Sequence, residues 1–258
     1  MKVERVSTLD ILSDLISSKR YIFRSKDLRE MYNWSPLVTY QRIRKMLDKG
    51  VIRKVWRGTF MINPKLLPNV PKVAYIDRLF GDQYYFGLYT AMSYWKISDL
   101  PTYTYQVVTV IRRLSGQKKR IAALKLQFVY VNARYFFGYR RVPYQGVLVN
   151  MSDLEKTLVD STYFIGRHVI AHDLSKAVIL AKNRVDVAKI IDYLRRLDSP
   201  FTNQRLGFLL EEIAKIRISI KKYGLKISNR YIMFDPKGPK RIIDKNEKWR
   251  ILLNQKII

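Results

Sequence analysis

Apolar positions at helical spacing open the chain. Leu9, Ile11, Leu12, Leu15 and Ile16 fall within Thr8 to Ser18 and predict a first helix. Ser25-Lys-Asp-Leu-Arg-Glu-Met-Tyr32 reads as a short second helix, with Asn33-Trp34 as the turn out of it. Ser35 is a good N-cap, Pro36 is tolerated at the first helical position, and Gly50 suits the left-handed residue that ends a helix. Between them Tyr40, Ile43 and Leu47 make a narrow apolar stripe. The opposite face carries Val38, Gln41, Arg42 and Lys45, with Thr39 and Arg44 at its borders. Val51 to Ile62 is rich in β-branched and aromatic residues around Arg57-Gly58, the pattern of a hairpin with Arg53, Lys54 and Arg57 near its tip. Helices followed by a basic hairpin give the order of a winged helix-turn-helix, expected over residues 1–66.

Prolines 64, 68 and 71 then mark a semi-rigid linker, so a second domain is expected over 67–258. Val73 to Phe80 fits either a strand or a short helix. Tyr84 to Trp95 reads as a packed helix. Gln106 to Arg112, Leu124 to Val131 and Gly146 to Asn150 read as strands, with a polar basic turn over 114–120. Ser152-Asp-Leu-Glu155 has the spacing of a capping box and opens a helix running to about Phe164. One or two helices are expected over 174–197, with Ala177, Leu180, Ala181, Ile190, Ile191 and Leu194 inward. Another follows over 204–222, then a loop at Asp235 to Pro239 and a strand at 249–253. The fold class that results is α+β.

Composition narrows the function classes. A 258-residue chain with 48% hydrophobic and 13% aromatic residues has enough apolar surface to fold rather than remain a basic tail. The absence of cysteine excludes disulfides, thiolate catalysis and the common structural zinc sites. The start Met-Lys-Val-Glu-Arg lacks the apolar core of a signal peptide, and no run of about 18 apolar residues occurs. A cytoplasmic protein with no membrane partner is expected. The 49 Lys and Arg exceed the 21 Asp and Glu by 28. Residues 1–69 and 70–214 each carry a net +9 and residues 215–258 a net +10, so the last segment is the densest. Such a surface attracts a polyanion at long range.

Six blocks carry a resemblance. In order they are Tyr84-Tyr-Phe-Gly-Leu-Tyr-Thr-Ala-Met-Ser-Tyr-Trp95, Val107-Val-Thr-Val110, Phe136-Phe-Gly138, Glu155-Lys-Thr-Leu-Val-Asp160, Arg205-Leu-Gly-Phe-Leu-Leu-Glu211 and Trp249-Arg-Ile-Leu-Leu-Asn254. Their order and spacing resemble the AbiEi family, the antitoxins of type IV toxin–antitoxin (abortive-infection) systems and related transcriptional regulators. The resemblance spans most of the chain. It implies an N-terminal winged helix that represses the antitoxin–toxin operon and a C-terminal domain needed to counteract a nucleotidyltransferase-type toxin.

Signs of catalysis are weak. His168 and His172 are four apart, but no acidic residue sits between them as in HExxH, and a packed or solvated pair is the better reading. Glu155, Lys156 and Asp160 lie on one helix, which does not supply the separated carboxylates that hold metal ions. Glu211 and Glu212 most simply balance Arg205 and Lys215. Gly58 and Gly138 are isolated, so no phosphate-cradling loop is present. No enzyme activity, cofactor or metal is expected.

The reading is a DNA-binding regulator. Ser35, Thr39, Gln41, Arg42 and Lys45 enter the major groove, with Tyr40 partly in the core beside them, because Arg and Gln pair with base edges. Arg53, Lys54 and Arg57 hold phosphates or the minor groove. Arg112, Arg113, Lys118, Lys119 and Arg120 read as a solvated loop, with a DNA path or an acidic partner as the alternative. Lys221, Lys222, Lys226, Arg230, Lys237, Lys240 and Arg241, interleaved with Tyr223 and Tyr231, lean toward an electrostatic nucleic-acid contact. Two copies on half-sites one helical turn apart would make a dimer on DNA. The alternatives are a sequence-indifferent, chromatin-like coating protein and a protein-interaction module whose main target is a toxin.

Overall fold

The computed structural model describes residues 6–101 and 103–256, and its architecture is α+β. Met1 to Arg5, read above for a leader, lie outside the described residues. The chain divides into two compact units. Of the described residues, the first comprises those up to 82 with the hairpin tips 119–125 and 143–149, and the second comprises the remainder.

The first unit runs α1 (Thr8–Ser17), β1 (Ile22–Arg24), α2 (Ser25–Tyr32), α3 (Pro36–Asp48), β2 (Ile52–Trp56), β3 (Thr59–Ile62) and α4 (Lys72–Phe80). Ser7 and Asp10 form a capping box on α1. Asn33, in the left-handed region at φ 50°, ends α2 and turns the chain toward α3. Gly50, at φ +65°, ends α3. Val51 N–H reaches back to the Met46 carbonyl and Gly50 N–H to that of Leu47, the paired closure of a Schellman end. The three strands form an antiparallel sheet of order β1-β3-β2. One apolar core joins helices and sheet, with Leu15, Leu28, Met46 and Ile62 wholly buried.

The proline segment lies inside this unit rather than at its edge. Val73 to Phe80, left open by its pattern, is helical, and it packs back on the sheet. Tyr75 meets Tyr21 at 6.0 Å, and Phe80 meets Trp56 edge-on at 5.6 Å.

Next come β4 (Tyr84–Phe86), α5 (Leu88–Tyr94), β5 (Tyr105–Thr109), β6 (Lys118–Ile121), β7 (Leu124–Tyr130), β8 (Tyr139–Tyr144) and β9 (Val147–Ser152), which belong to the second unit except for the tips 119–125 and 143–149. Helices α6 (Leu154–Tyr163), α7 (Ala171–Ala181), α8 (Val187–Leu197) and α9 (Pro200–Phe208) follow, then a π-turn at Leu209–Ile213 and the short α10 (Ile220–Tyr223). The six strands are ordered β6-β7-β5-β4-β9-β8. A second small sheet, of order β10-β12-β11, joins β10 (Ile232–Met233), β11 (Asp244–Asn246) and β12 (Ile251–Leu253).

Several expectations change here. The helix expected over 84–95 is split, because Tyr84-Tyr-Phe86 pairs with β5 and β9 before α5 begins. At the junction a Cβ on Gly87 would lie 2.9 Å from Val108. The 114–120 turn ends in strand β6. The helix expected over 204–222 breaks after the π-turn, and Lys215 takes a left-handed φ of 60°. Leu180 is 47% exposed rather than inward, because α7 packs through Leu174, Ala177, Val178 and Ala181.

The capping box at Ser152 is not formed. Asp153 is the N-cap, accepting from Lys156 N–H at 2.8 Å. Glu155 instead accepts from Asp186 N–H at 3.0 Å and pairs with Lys189 at 3.1 Å. Glu211 and Glu212 do not balance Arg205 and Lys215 either. Glu211 accepts from the Trp249 indole at 2.7 Å and pairs with Lys248, and Glu212 accepts from Asn246 at 3.0 Å.

Candidate nucleic-acid interface

Helix α3 is about 20 Å long from its 13 residues and presents one solvent face. That face is Leu37, Tyr40, Gln41, Arg44, Lys45 and Asp48, at spacings of three and one, with Lys49 continuing it. The buried face is Thr39, Ile43 and Met46. The helix is therefore turned by roughly 70–80° from the expectation, somewhat less than one residue's ~100° step. Thr39, expected in the groove, is only 2% exposed, and Tyr40, expected partly in the core, is 61% exposed. Thr39 tolerates burial because its hydroxyl donates to the Ser35 carbonyl at 2.9 Å, which leaves its methyl to pack.

Ser35 serves as N-cap, its Oγ accepting from Val38 N–H at 3.3 Å, so its hydroxyl already has a structural partner. Gln41 and Lys45 are exposed as expected. Arg42 is half-buried, with its guanidinium over the Trp34 ring at 5.6 Å. Trp34 stacks on Tyr32 at 4.4 Å, and the Tyr32 hydroxyl donates to Asp14 at 2.5 Å. Arg42 thus ends a chain of contacts that ties α1, α2 and α3 together. Arg44, placed at the border by its spacing, belongs to the exposed face.

The hairpin sets the other basic surface. Arg53 and Lys54 sit opposite Met61 and Phe60, whose side chains are buried, and both cations are exposed. A bulge between Lys54 and Trp56 shifts the register, and Gly58, at φ +69°, closes the turn after exposed Arg57. The Gly58 carbonyl accepts from Ser25 N–H at 3.1 Å, anchoring the hairpin tip to the start of α2. Trp56 is covered by Phe80 on one side and by Lys119 Nζ at 5.3 Å.

The remaining cations are dispersed. Arg112, Arg113, Lys118 and Arg120 are exposed, whereas Lys119 is drawn onto Trp56. In the second unit Lys221, Lys222, Arg230, Lys237, Lys240 and Arg241 are exposed, and Lys226 pairs with Asp198 at 2.9 Å. This segment is folded through Trp249, which is wholly buried against Gly207.

The groups weighed for catalysis are buried or apart. Lys156 Nζ bonds Asp160 at 2.6 Å and the Tyr135 carbonyl at 3.0 Å, and Tyr85 donates to Asp160 at 2.7 Å. Lys156 is fully enclosed, and Gly138 has no side chain because a Cβ there would lie 2.9 Å from Lys156. Arg205, expected to pair with an acid, donates to the Met233 and Phe234 carbonyls, and burial lowers its pKa to about 10. His168 lies in the turn before α7 and His172 within it, so they do not share a helix. Among the described residues no group of three His, Cys, Asp or Glu side chains is placed to hold a metal ion. Nor is any helix there long and apolar enough to cross a membrane.

No family model matches the chain, and no curated protein matches it. Among solved structures, the RV2827C protein from Mycobacterium tuberculosis is similar in fold, with a TM-score of 0.61 at 12% identity. The match covers 94% of this chain and 89% of that one.

Proposed function

We propose that this chain is a DNA-binding transcriptional regulator whose first unit is a winged helix-turn-helix. The second unit, on this reading, is antitoxin-like in the manner of the AbiEi family and counteracts a nucleotidyltransferase-type toxin. The observation that carries the proposal is the single face of α3, where Tyr40, Gln41, Arg44 and Lys45 are exposed together on the unit that also bears Arg53, Lys54 and Arg57. Gln41 offers a paired donor and acceptor and Arg44 a pair of donors for base edges, and the hairpin cations supply phosphate contacts. The order of α1, α2, α3 and the β2–β3 hairpin, with β1 completing the sheet, supports the winged-helix reading. The six sequence blocks support the antitoxin one. No catalytic step belongs to this proposal.

A reporter driven by the DNA upstream of the gene tests it. Expression should fall when the protein is supplied and recover with the pair Gln41→Ala and Arg44→Ala. Equal repression by the wild type and the double variant would remove α3 from the account. The dispersed cations of the second unit favour a second reading, a sequence-indifferent coating protein, for which repression would extend to unrelated promoters.

A further inference from the structure

The second unit holds a cleft of about 560 Å³ that the proposed DNA surface does not use. Its floor is a relay of three side chains. Gln106 on β5 and Gln127 on β7 are register partners in a parallel pair, so their carboxamides share a face and meet. Gln106 Nε2 donates to Gln127 Oε1 at 3.1 Å. The backbone sets the direction of this relay. Tyr89 N–H donates to Gln106 Oε1 at 2.9 Å, so the nitrogen end of that amide must face Gln127, and it also reaches the His168 carbonyl at 3.2 Å. Gln127 then turns its own amide nitrogen to His168 Nδ1 at 3.3 Å. Nδ1 is thereby the acceptor, and the imidazole proton sits on Nε2. Burial, and then the charge of Arg167, lower the His168 pKa, in keeping with a neutral ring.

The walls are apolar and the rim is basic. Leu100, Tyr103 and Ile170 line the cleft at 49%, 76% and 61% exposure, a grouping of large apolar side chains in contact with water. Arg167 and Lys237 add two exposed cations. The cleft's two carboxylates already have partners. Asp173 accepts from the Tyr89 hydroxyl at 2.6 Å, and Asp235 accepts from Lys237 N–H at 2.8 Å and lies in the field of Arg205. What faces a ligand is a carboxamide edge, a neutral imidazole, an aromatic ring and two cations.

We infer that this cleft binds a nucleoside monophosphate, either as a free nucleotide or as the 5′-phosphorylated end of a strand. The base lies against Tyr103 and the apolar wall and pairs with the Gln127 carboxamide. The phosphate meets Arg167 and Lys237. The volume falls within the range of small-molecule sites, and apolar walls with few convergent polar groups are the usual construction of such a site. The inference does not depend on the DNA-binding reading, since its residues all lie in the other unit.

Calorimetric titration of the full chain with AMP, GMP, CMP and UMP, and with the matching unphosphorylated nucleosides, tests it. At least one monophosphate should bind about tenfold or more tightly than its nucleoside, and Arg167→Ala should close that gap, because a charge-assisted contact is lost. Gln127→Leu should weaken nucleotide and nucleoside alike. Arg167 is exposed, so its variant tests the idea even if Gln127→Leu fails to fold. A second arm compares a short oligonucleotide with and without a 5′-phosphate. A preference for the phosphorylated strand that Arg167→Ala abolishes, without mononucleotide binding, would assign the site to strand ends. No phosphate-dependent binding in either arm, or binding that Arg167→Ala leaves unchanged, overturns the inference.

Discussion

Arg42 and Thr39 sit where helical spacing leaves two answers open. Tyr40, Ile43 and Leu47 fit an apolar stripe, but so do Thr39, Ile43 and Met46, and the helix buries the second set. The deciding contacts are non-local. Ile43 and Met46 pack into the core with Leu15, Leu28 and Ile62, and Trp34 takes the Arg42 guanidinium, so the helix turns Tyr40 and Arg44 outward. The N-cap and the C-terminal glycine were legible because capping is local chemistry. The face was not, because it depends on what the helix packs against.

At this scale Gln41→Ala and Arg44→Ala should each cost about 1–3 kcal/mol on the native site and relax one base position. Arg42→Ala should instead cost about 0.5–1 kcal/mol of stability through the lost Trp34 contact, with no change in base preference. Binding to duplexes carrying single base changes separates the two, and a relaxed base position for Arg42→Ala alone would reverse the assignment. His168 gives a pH effect. Its folded pKa lies below the ordinary 6.5, so the unfolded chain binds a proton that the folded chain resists. That contribution is whole above pH 6.5 and is lost as pH falls toward the lower folded value. Urea midpoints at neutral and mildly acidic pH should therefore drop more for the wild type than for His168→Gln.

Elements carry a different lesson. The start of α6 looked like a capping box, yet Asp153 caps it and Glu155 is engaged by Asp186 and Lys189 from the next helix pair. Within α6, Lys156 and Asp160 form an enclosed ion pair one turn apart. Lys156→Met should cost about 3–5 kcal/mol, because Asp160 is left buried with no countercharge. Adding Asp160→Leu should recover part of that loss. A double variant less stable than Lys156→Met would mean that packing, not charge, sets the cost.

The passage from α9 into the π-turn shows why the 204–222 helix was overextended. Gly207 lies under the Trp249 ring, where a Cβ would come within 2.2 Å, and nothing in the local spacing announces a residue forty positions on. Gly207→Ala should destabilise the chain by about 1–3 kcal/mol or more in chemical denaturation. An unchanged midpoint would mean that Trp249 moves aside without cost.

At the scale of the whole molecule, the α+β class and half of the described strands (β2, β3, β5, β7, β9 and β12) are legible from periodicity, and the surplus of 28 positive charges from composition. The unit boundary is not, because the proline segment leads into α4, whose Tyr75 and Phe80 return to the first unit. The polar cleft leaves no sequence signal, because Gln106, Gln127 and His168 lie far apart in the chain. The pairing of β5 with β7 joins the two glutamines, and the turn before α7 brings His168 to them. Charge acts at this scale too. Arg57→Ala should weaken all DNA sequences alike and lower the steepness of the salt dependence by about one.

Fluorescence-anisotropy titration of the full chain with the DNA upstream of its gene and with a scrambled duplex, each across a salt series, tests the central claim most directly. Both affinities should fall steeply with salt, since phosphate contacts release counterions. The native duplex should stay at least about 1000-fold tighter at physiological salt, the margin of a specific regulator. Coincident curves for the two duplexes would contradict base reading by α3 and leave a coating protein in its place.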